Sequence, residues 1–165
     1  MSGLVSVSDA TVESKAQLVE YLALGARPAA AWKIGTEHEK FGYRLADRGG
    51  VPYDGPSGIR AILTGLQDRF GWEGVYEGDN LIALLHGDAS VSLEPGGQLE
   101  LSGGQLDTIH QTCDEVHQHL AQVKQIADPL GVGFIGLGFN PTLRRAEVPV
   151  MPKGRYNIMR AYMPK

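Results

Sequence analysis

The sequence predicts an α+β protein, an antiparallel sheet with packed helices. Three observations predict it. Short apolar runs between Trp72 and Ser102 are broken by turn pairs, and separate stretches repeat apolar residues at helical spacing. The 22 glycines exceed the roughly 7% average and gather in short turns rather than in a repeat. At 165 residues, 42% hydrophobic and 21% charged, the chain holds one ordinary core or one large piece of a bigger domain.

The elements follow in order. Ser14 is a candidate N-cap for a short helix carrying Leu18, Val19 and Leu22, stopped by Gly25 and Pro28. From Trp32 to Phe41 the pattern alternates, with Trp32, Ile34, Thr36 and His38 on one face and Lys33, Gly35, Glu37, Glu39 and Phe41 on the other. After the loop "DRGGVPYDGPSG", a second helix is expected near residues 58–70, carrying Ile59, Ile62, Leu63, Leu66 and Phe70, with Gly71 ending it. Trp72 to Ser102 reads as an antiparallel meander. A third helix carries Ile109, Cys113, Val116, Leu120, Val123, Ala127 and Leu130 as its apolar stripe, which turns its histidines outward and makes Cys113 a small buried hydrophobe. "GVGFIGLGFNP" reads as a further strand.

Charge and composition exclude several functions. A net charge of −4 and a pI near 5.7 argue against a nucleic-acid binder, which needs a clustered basic face. Cys113 is the single cysteine and closes no internal disulfide. The opening "MSGLVSVSDATVESK" lacks a secretory pattern, and no apolar run approaches the roughly 20 residues of a membrane span. A soluble cytoplasmic protein is the expectation.

Two acidic pairs are the candidate chemistry. Glu37 and Glu39 share one strand face, and Glu94 and Glu100 flank a Pro-Gly-Gly break on polar faces opposite Leu93, Leu99 and Leu101. Such carboxylates either meet solvent or hold a hard divalent cation, and Mg²⁺ commonly takes one or two carboxylates plus substrate phosphates. Other motifs fail. "GVGFIG" follows a helix and enters a strand, the reverse of the dinucleotide-binding context, and His38-Glu39 lacks the second histidine of a zinc-protease helix. His110, His117 and His119 form no tight metal spacing. Arg155 and its basic neighbours in the tail suit either anions or an ordinary surface.

The blocks "KIGTEHEKFGY", "EGDN", "SLEPGGQLELSG", "HQTCDEVHQHL", "GFIGLGFNP" and "MPKGRYNIMRAYMP", in this order, resemble the plant and proteobacterial glutamate-cysteine ligases from about residue 15 to the end. The resemblance covers the first part of that family's usual chain, so residues 1–165 are expected to form an N-terminal part of its catalytic domain. It implies a glutamine-synthetase-like catalytic funnel in which Glu37, Glu39, Glu94 and Glu100 share Mg²⁺ ions that hold ATP. Lys33, Arg155 and Tyr156 are the expected contacts to phosphate or substrate carboxylate. The implied reaction joins the glutamate γ-carboxylate to the cysteine amine through an acyl phosphate, the first step of glutathione biosynthesis. The implied partners are glutamate, cysteine and ATP, with a homodimer or a further C-terminal portion completing the site. A related ligase with another acceptor amine, or a non-catalytic metal-binding fragment, are the alternatives. In plant-type members a cysteine matching Cys113 joins a distant one in a redox-sensitive bridge, and this sequence holds no partner for it.

Overall fold

The computed structural model describes residues 10–163. Residues 1–9, read above for a targeting signal, and the terminal Pro164 and Lys165 lie outside the described residues. The chain forms α1 (Lys15–Ala23), β1 (Glu37–Arg44), α2 (Ile59–Phe70), β2 (Glu73–Glu77), β3 (Asn80–His86), β4 (Ala89–Glu94), β5 (Gln98–Ser102), α3 (Ile109–Ala127), β6 (Val132–Ile135) and α4 (Gly154–Tyr162). The strands make one open antiparallel sheet in the order β2-β3-β4-β5-β1-β6. The α+β class and the β2–β5 meander match the sequence reading.

Side-chain alternation divides this sheet into two unlike faces. Leu84, Val91, Leu93, Leu99 and Leu101 are fully buried against Ile59, Ile62, Leu63 and Leu66 of α2 and against Val123 and Ala127 of α3. Each such side chain contributes roughly 1.5–3 kcal/mol by leaving water, so this face holds the molecule together. The opposite face carries Glu37, Glu39, Glu100, Ser92 and Ser102 at matched register positions.

Two expectations are corrected. The strand does not begin at Trp32: Ala29–Ala31 form a 3₁₀ turn, Trp32 is exposed, and regular pairing starts at Glu37. Before it, Ile34 pairs only with Leu106, through N–H···O bonds of 2.7 and 2.8 Å, so this stretch is tied to a loop rather than to a strand. The buried face of α3 is also rotated from the expected stripe. Thr112, His119, Val123 and Ala127 are buried, whereas Ile109, Cys113 and Leu120 are exposed. The cause is the crossing with α2, where Gly65 admits Ile126, together with the Trp72 ring, which meets the His119 ring edge-on at 6.4 Å. His110 and His117 do face outward, as expected.

α1 begins with the expected Ser14 N-cap, which forms a capping box with Gln17, yet Leu18, Val19 and Leu22 remain exposed. No described helix is long and apolar enough to cross a membrane.

A Cβ at Gly65 would lie 2.6 Å from Ile126 Cγ2. Gly65→Ala gains about 1 kcal/mol of helix propensity but incurs an overpacking penalty of roughly 1–3 kcal/mol. A lowered denaturation midpoint is expected, and an unchanged or raised one would show that the two helices separate freely. His119 supplies a second prediction. Burial, followed by the charge of Lys40 and by His38, pulls its imidazole down to about 3. The unfolded chain binds this proton below about pH 6.5 and the folded chain does not, so stability falls as pH drops from 6.5 toward 3. His119→Phe should flatten that slope by roughly 2 kcal/mol at pH 5, measured by urea unfolding across the window.

Candidate functional site

The open face of the sheet is built by β1, β5 and β4. Glu37 stands opposite Ser102, Glu39 opposite Glu100, and Glu100 in turn opposite Ser92. β4 reaches β5 through Pro95–Gly97, where Gly96 and Gly97 adopt φ values of 74° and 82°. Only glycine takes this left-handed conformation without strain, and the tight reversal sets Glu94 across from Gln98. The Pro-Gly-Gly break in the sequence is therefore what fixes the spacing of the second acidic pair.

This face lines a cleft of about 1470 Å³ whose walls include Trp32, Lys33, Glu37, Glu77, Ser92, Ser102, Lys153 and Arg155. Register places all four predicted glutamates on the same side of the sheet, but their environments differ. Glu37 and Glu39 are exposed, whereas Glu94 and Glu100 are buried. Glu100 accepts hydrogen bonds from Ser92 Oγ at 3.3 Å and Ser102 Oγ at 3.4 Å. Among the described residues, no three His, Cys, Asp or Glu side chains gather closely enough to hold a metal ion by themselves.

Glu94 is engaged by four side chains. One Arg155 nitrogen donates to its two oxygens at 2.8 and 2.7 Å, Lys153 Nζ at 3.2 Å, Tyr156 Oη at 3.1 Å and Ser92 Oγ at 2.9 Å. Burial alone would raise the Glu94 carboxyl. Lys153, the Ser92 hydroxyl and Arg155 together outweigh burial and hold it below the ordinary carboxylate value. Burial pulls Lys153 below the usual lysine value and pushes the Tyr156 phenol well above its usual one. Lys153 also donates to Leu93 O at 2.9 Å, and Tyr156 to the same carbonyl at 3.1 Å.

Of the predicted basic contacts, Arg155 lines the cleft, Tyr156 is buried behind it on Glu94, and Lys33 lines the cleft while pairing with Asp107. Sequence reasoning missed Lys153 and Lys40. Lys153 lies two residues before Arg155, and only the fold shows that both reach Glu94. Lys40 was legible, because alternation sends it to the side opposite Glu39. It is 1% exposed, its ammonium donates to His38 O at 3.4 Å and Leu99 O at 3.3 Å, and burial lowers it to about 8 despite the opposing pull of Glu100. Those two carbonyls belong to the residues just before Glu39 and Glu100, so the ammonium ties β1 to β5 directly behind that pair.

Cys113 is exposed on α3, with its Sγ 3.3 Å from His117 Nδ1, rather than buried as expected. The apolar stripe that placed it inside is the one that the rotation of α3 displaces.

An antiparallel sheet that presents carboxylates and hydroxyls toward a cleft rimmed by lysine and arginine defines an α+β protein suited to polar, charged ligands. The family follows from comparison: the chain belongs to glutamate-cysteine ligase family 2 (GCS2), whose sequence profile matches residues 33–165. It is 52% identical over 152 residues to the chloroplastic glutamate–cysteine ligase of Medicago truncatula, covering 92% of this chain and 29% of the relative. Against glutamate–cysteine ligase A of Oryza sativa subsp. japonica, also chloroplastic, it is 49% identical over 171 residues, covering 99% and 34%. The chloroplastic enzyme of Nicotiana tabacum is 53% identical over 152 residues, covering 92% and 28%. The chain thus spans about a third or less of these relatives. Their names also correct the cytoplasmic expectation. An organelle protein need carry no membrane-spanning stretch in its folded part, so the composition used for that expectation does not discriminate between the compartments.

Because the Glu94 carboxyl is depressed, its contribution is fully present above about pH 4.3 and is lost as pH falls through its folded-state pKa. Glu94→Gln should lower the thermal midpoint at pH 7, with the difference from the parent shrinking below pH 4. A difference that persists undiminished at pH 3 would show that the carboxylate charge is not what matters.

Proposed function

We propose that the cleft serves an ATP-dependent ligation of the glutamate γ-carboxylate to the cysteine amine, within a larger glutamine-synthetase-like funnel. The observation that carries this reading is the cross-strand pair Glu39 and Glu100, on the same sheet face as Glu37, Ser92 and Ser102, which line a cleft rimmed by Lys33, Lys153 and Arg155. Family membership supports it, and the names of the relatives supply the substrates. Those names also favour a plastid compartment and glutathione biosynthesis as the setting.

The donor set fits Mg²⁺. It offers hard carboxylate oxygens in ones and twos rather than a closed cage of three, which is how Mg²⁺ is usually held when substrate phosphates complete its shell. The opposed pair Glu39 and Glu100 would hold one ion, with Glu37 and Glu94 on the same face for a further one. When bound, the ion would offset charge on the triphosphate and on the transferring phosphoryl group. The chain's own residues bind and orient. Lys33 and Arg155 attract the anionic groups of ATP and glutamate into the cleft, and Tyr156 holds the Glu94 end of β4 in place. In the reaction, the glutamate γ-carboxylate oxygen attacks the terminal phosphorus of ATP and ADP departs. The cysteine amine then attacks the acyl carbon and phosphate departs, with one proton lost from nitrogen. No protein nucleophile takes part, so positioning and a prearranged field are the protein's contribution.

A second reading has its own support. The exposed Leu18, Val19 and Leu22 of α1, and the span of a third or less of the relatives, favour a piece that is completed by further chain or by a second copy before it turns over. Titration calorimetry with Mg²⁺ and ATP separates the question of binding from that of turnover. The parent is expected to bind, and Glu39→Gln and Glu100→Gln each to weaken binding tenfold or more. ADP release with glutamate and cysteine, and competition with other amines, then tests turnover and acceptor choice. Absence of heat in the parent, or indifference to both substitutions, would overturn the metal-nucleotide reading.

A further inference from the structure

Glu94 is 8% exposed, and two cations, a phenol and a hydroxyl converge on it. Arg155 approaches both oxygens at 2.7 and 2.8 Å, Lys153 stands at 3.2 Å and Tyr156 Oη at 3.1 Å. Two positive side chains thus share one internal carboxylate. The exposures of the three charged partners are unequal: the Arg155 side chain is 43% exposed, and those of Lys153 and Glu94 are each 10% exposed. Both cations line the cleft. Arginine presents a planar fork that suits phosphate and carboxylate alike, and a lysine beside it adds a point charge.

We propose that Lys153, Arg155 and Tyr156 form an oxyanion site in which Glu94 is the internal occupant, and that a phosphate or carboxylate group of a substrate exchanges with Glu94 there. The exchange leaves the two cations paired. The incoming oxyanion satisfies the two cations, whose burial without a partner would be costly. The departing Glu94 keeps Ser92, whose hydroxyl already bridges it to Glu100 at 2.9 and 3.3 Å, so the carboxylate rejoins the acidic face. Arrival of an anion at Lys153 and Arg155 therefore adds a negative oxygen donor to the acidic face beside Glu100. The identity of the oxyanion as a substrate group rests on the ligase reading, whereas the site itself does not.

The test uses the intact chain in EDTA, so that no metal contributes, with inorganic tripolyphosphate as the phosphate probe and glutarate as the carboxylate probe. Glu94→Gln removes the occupant's charge and is expected to bind one of these probes at least tenfold more tightly than the parent, with a saturable rise in thermal midpoint. A preference for tripolyphosphate identifies a phosphate subsite, and a preference for glutarate a carboxylate subsite. Adding Arg155→Met to Glu94→Gln should abolish the gain. Equal affinity in parent and Glu94→Gln, or a gain that survives Arg155→Met, overturns the proposal. Should Glu94→Gln fail to fold, Lys153→Met and Arg155→Met in the parent background carry the test. Each must weaken the parent's own binding tenfold or more, and unchanged binding overturns the site. Failure of the ligase reading is separately visible: the parent would then show no Mg²⁺-dependent ATP binding while Glu94→Gln still gains affinity for an oxyanion.

Discussion

The register that joins β4, β5 and β1 is the constraint on which the rest of the molecule depends. Pairing Glu100 with Glu39 on one side and with Ser92 on the other also pairs Leu99 with Lys40 and with Leu93. Because side chains alternate strictly, a slip of one residue would turn the leucines to the cleft and the carboxylates to the helices. Burial of Leu84, Leu93, Leu99 and Leu101 against α2 and α3 makes that slip prohibitive. The apolar side of the sheet thus fixes the arrangement of the polar side, and the cleft inherits its order from a core that takes no part in chemistry.

A second tie runs between parts of the chain that are distant in sequence. α4 exposes Ile158, Met159 and Tyr162 and buries only Tyr156, so its place rests on few contacts. Those contacts include charge-assisted bonds to Glu94, the Gly154 N–H donated to the Glu77 carboxylate, and the phenol of Tyr156 reaching the carbonyl of Leu93. Paired charges in a half-buried setting add little net stability compared with an apolar contact, yet breaking one partner is costly. Such an arrangement specifies position more than it adds stability.

What could be read in the sequence was whatever depended on period alone. The meander, α2 with its four enclosed aliphatic residues, and the shared face within each acidic pair follow from spacing, whereas the meeting of the two pairs on one face was implied by the family resemblance. The rotation of α3 was not legible, because Leu120 and His119 stand only about 100° apart on the helix and the choice between them was made by the fit of Ile126 over Gly65 and by Trp72 on other elements. Trp32 and Ile34 looked like strand residues, but there is only a loop around Leu106 for them to pair with. The engagement of Glu94 was equally hidden, since Lys153, Arg155 and Tyr156 lie 59 to 62 residues further along the chain. Lys40 is the opposite case: its alternation was plain, but a lysine on a covered face runs against expectation until its two carbonyl partners are seen.

The rotation of α3 that turns His119 inward also turns Cys113 outward, on the helical side of the sheet and away from the carboxylate face. As the single thiol in 165 residues, it offers one attachment point for a maleimide fluorophore or spin label. A reporter placed there would sense the molecule from behind, leaving the opening through which ligands would enter unobstructed.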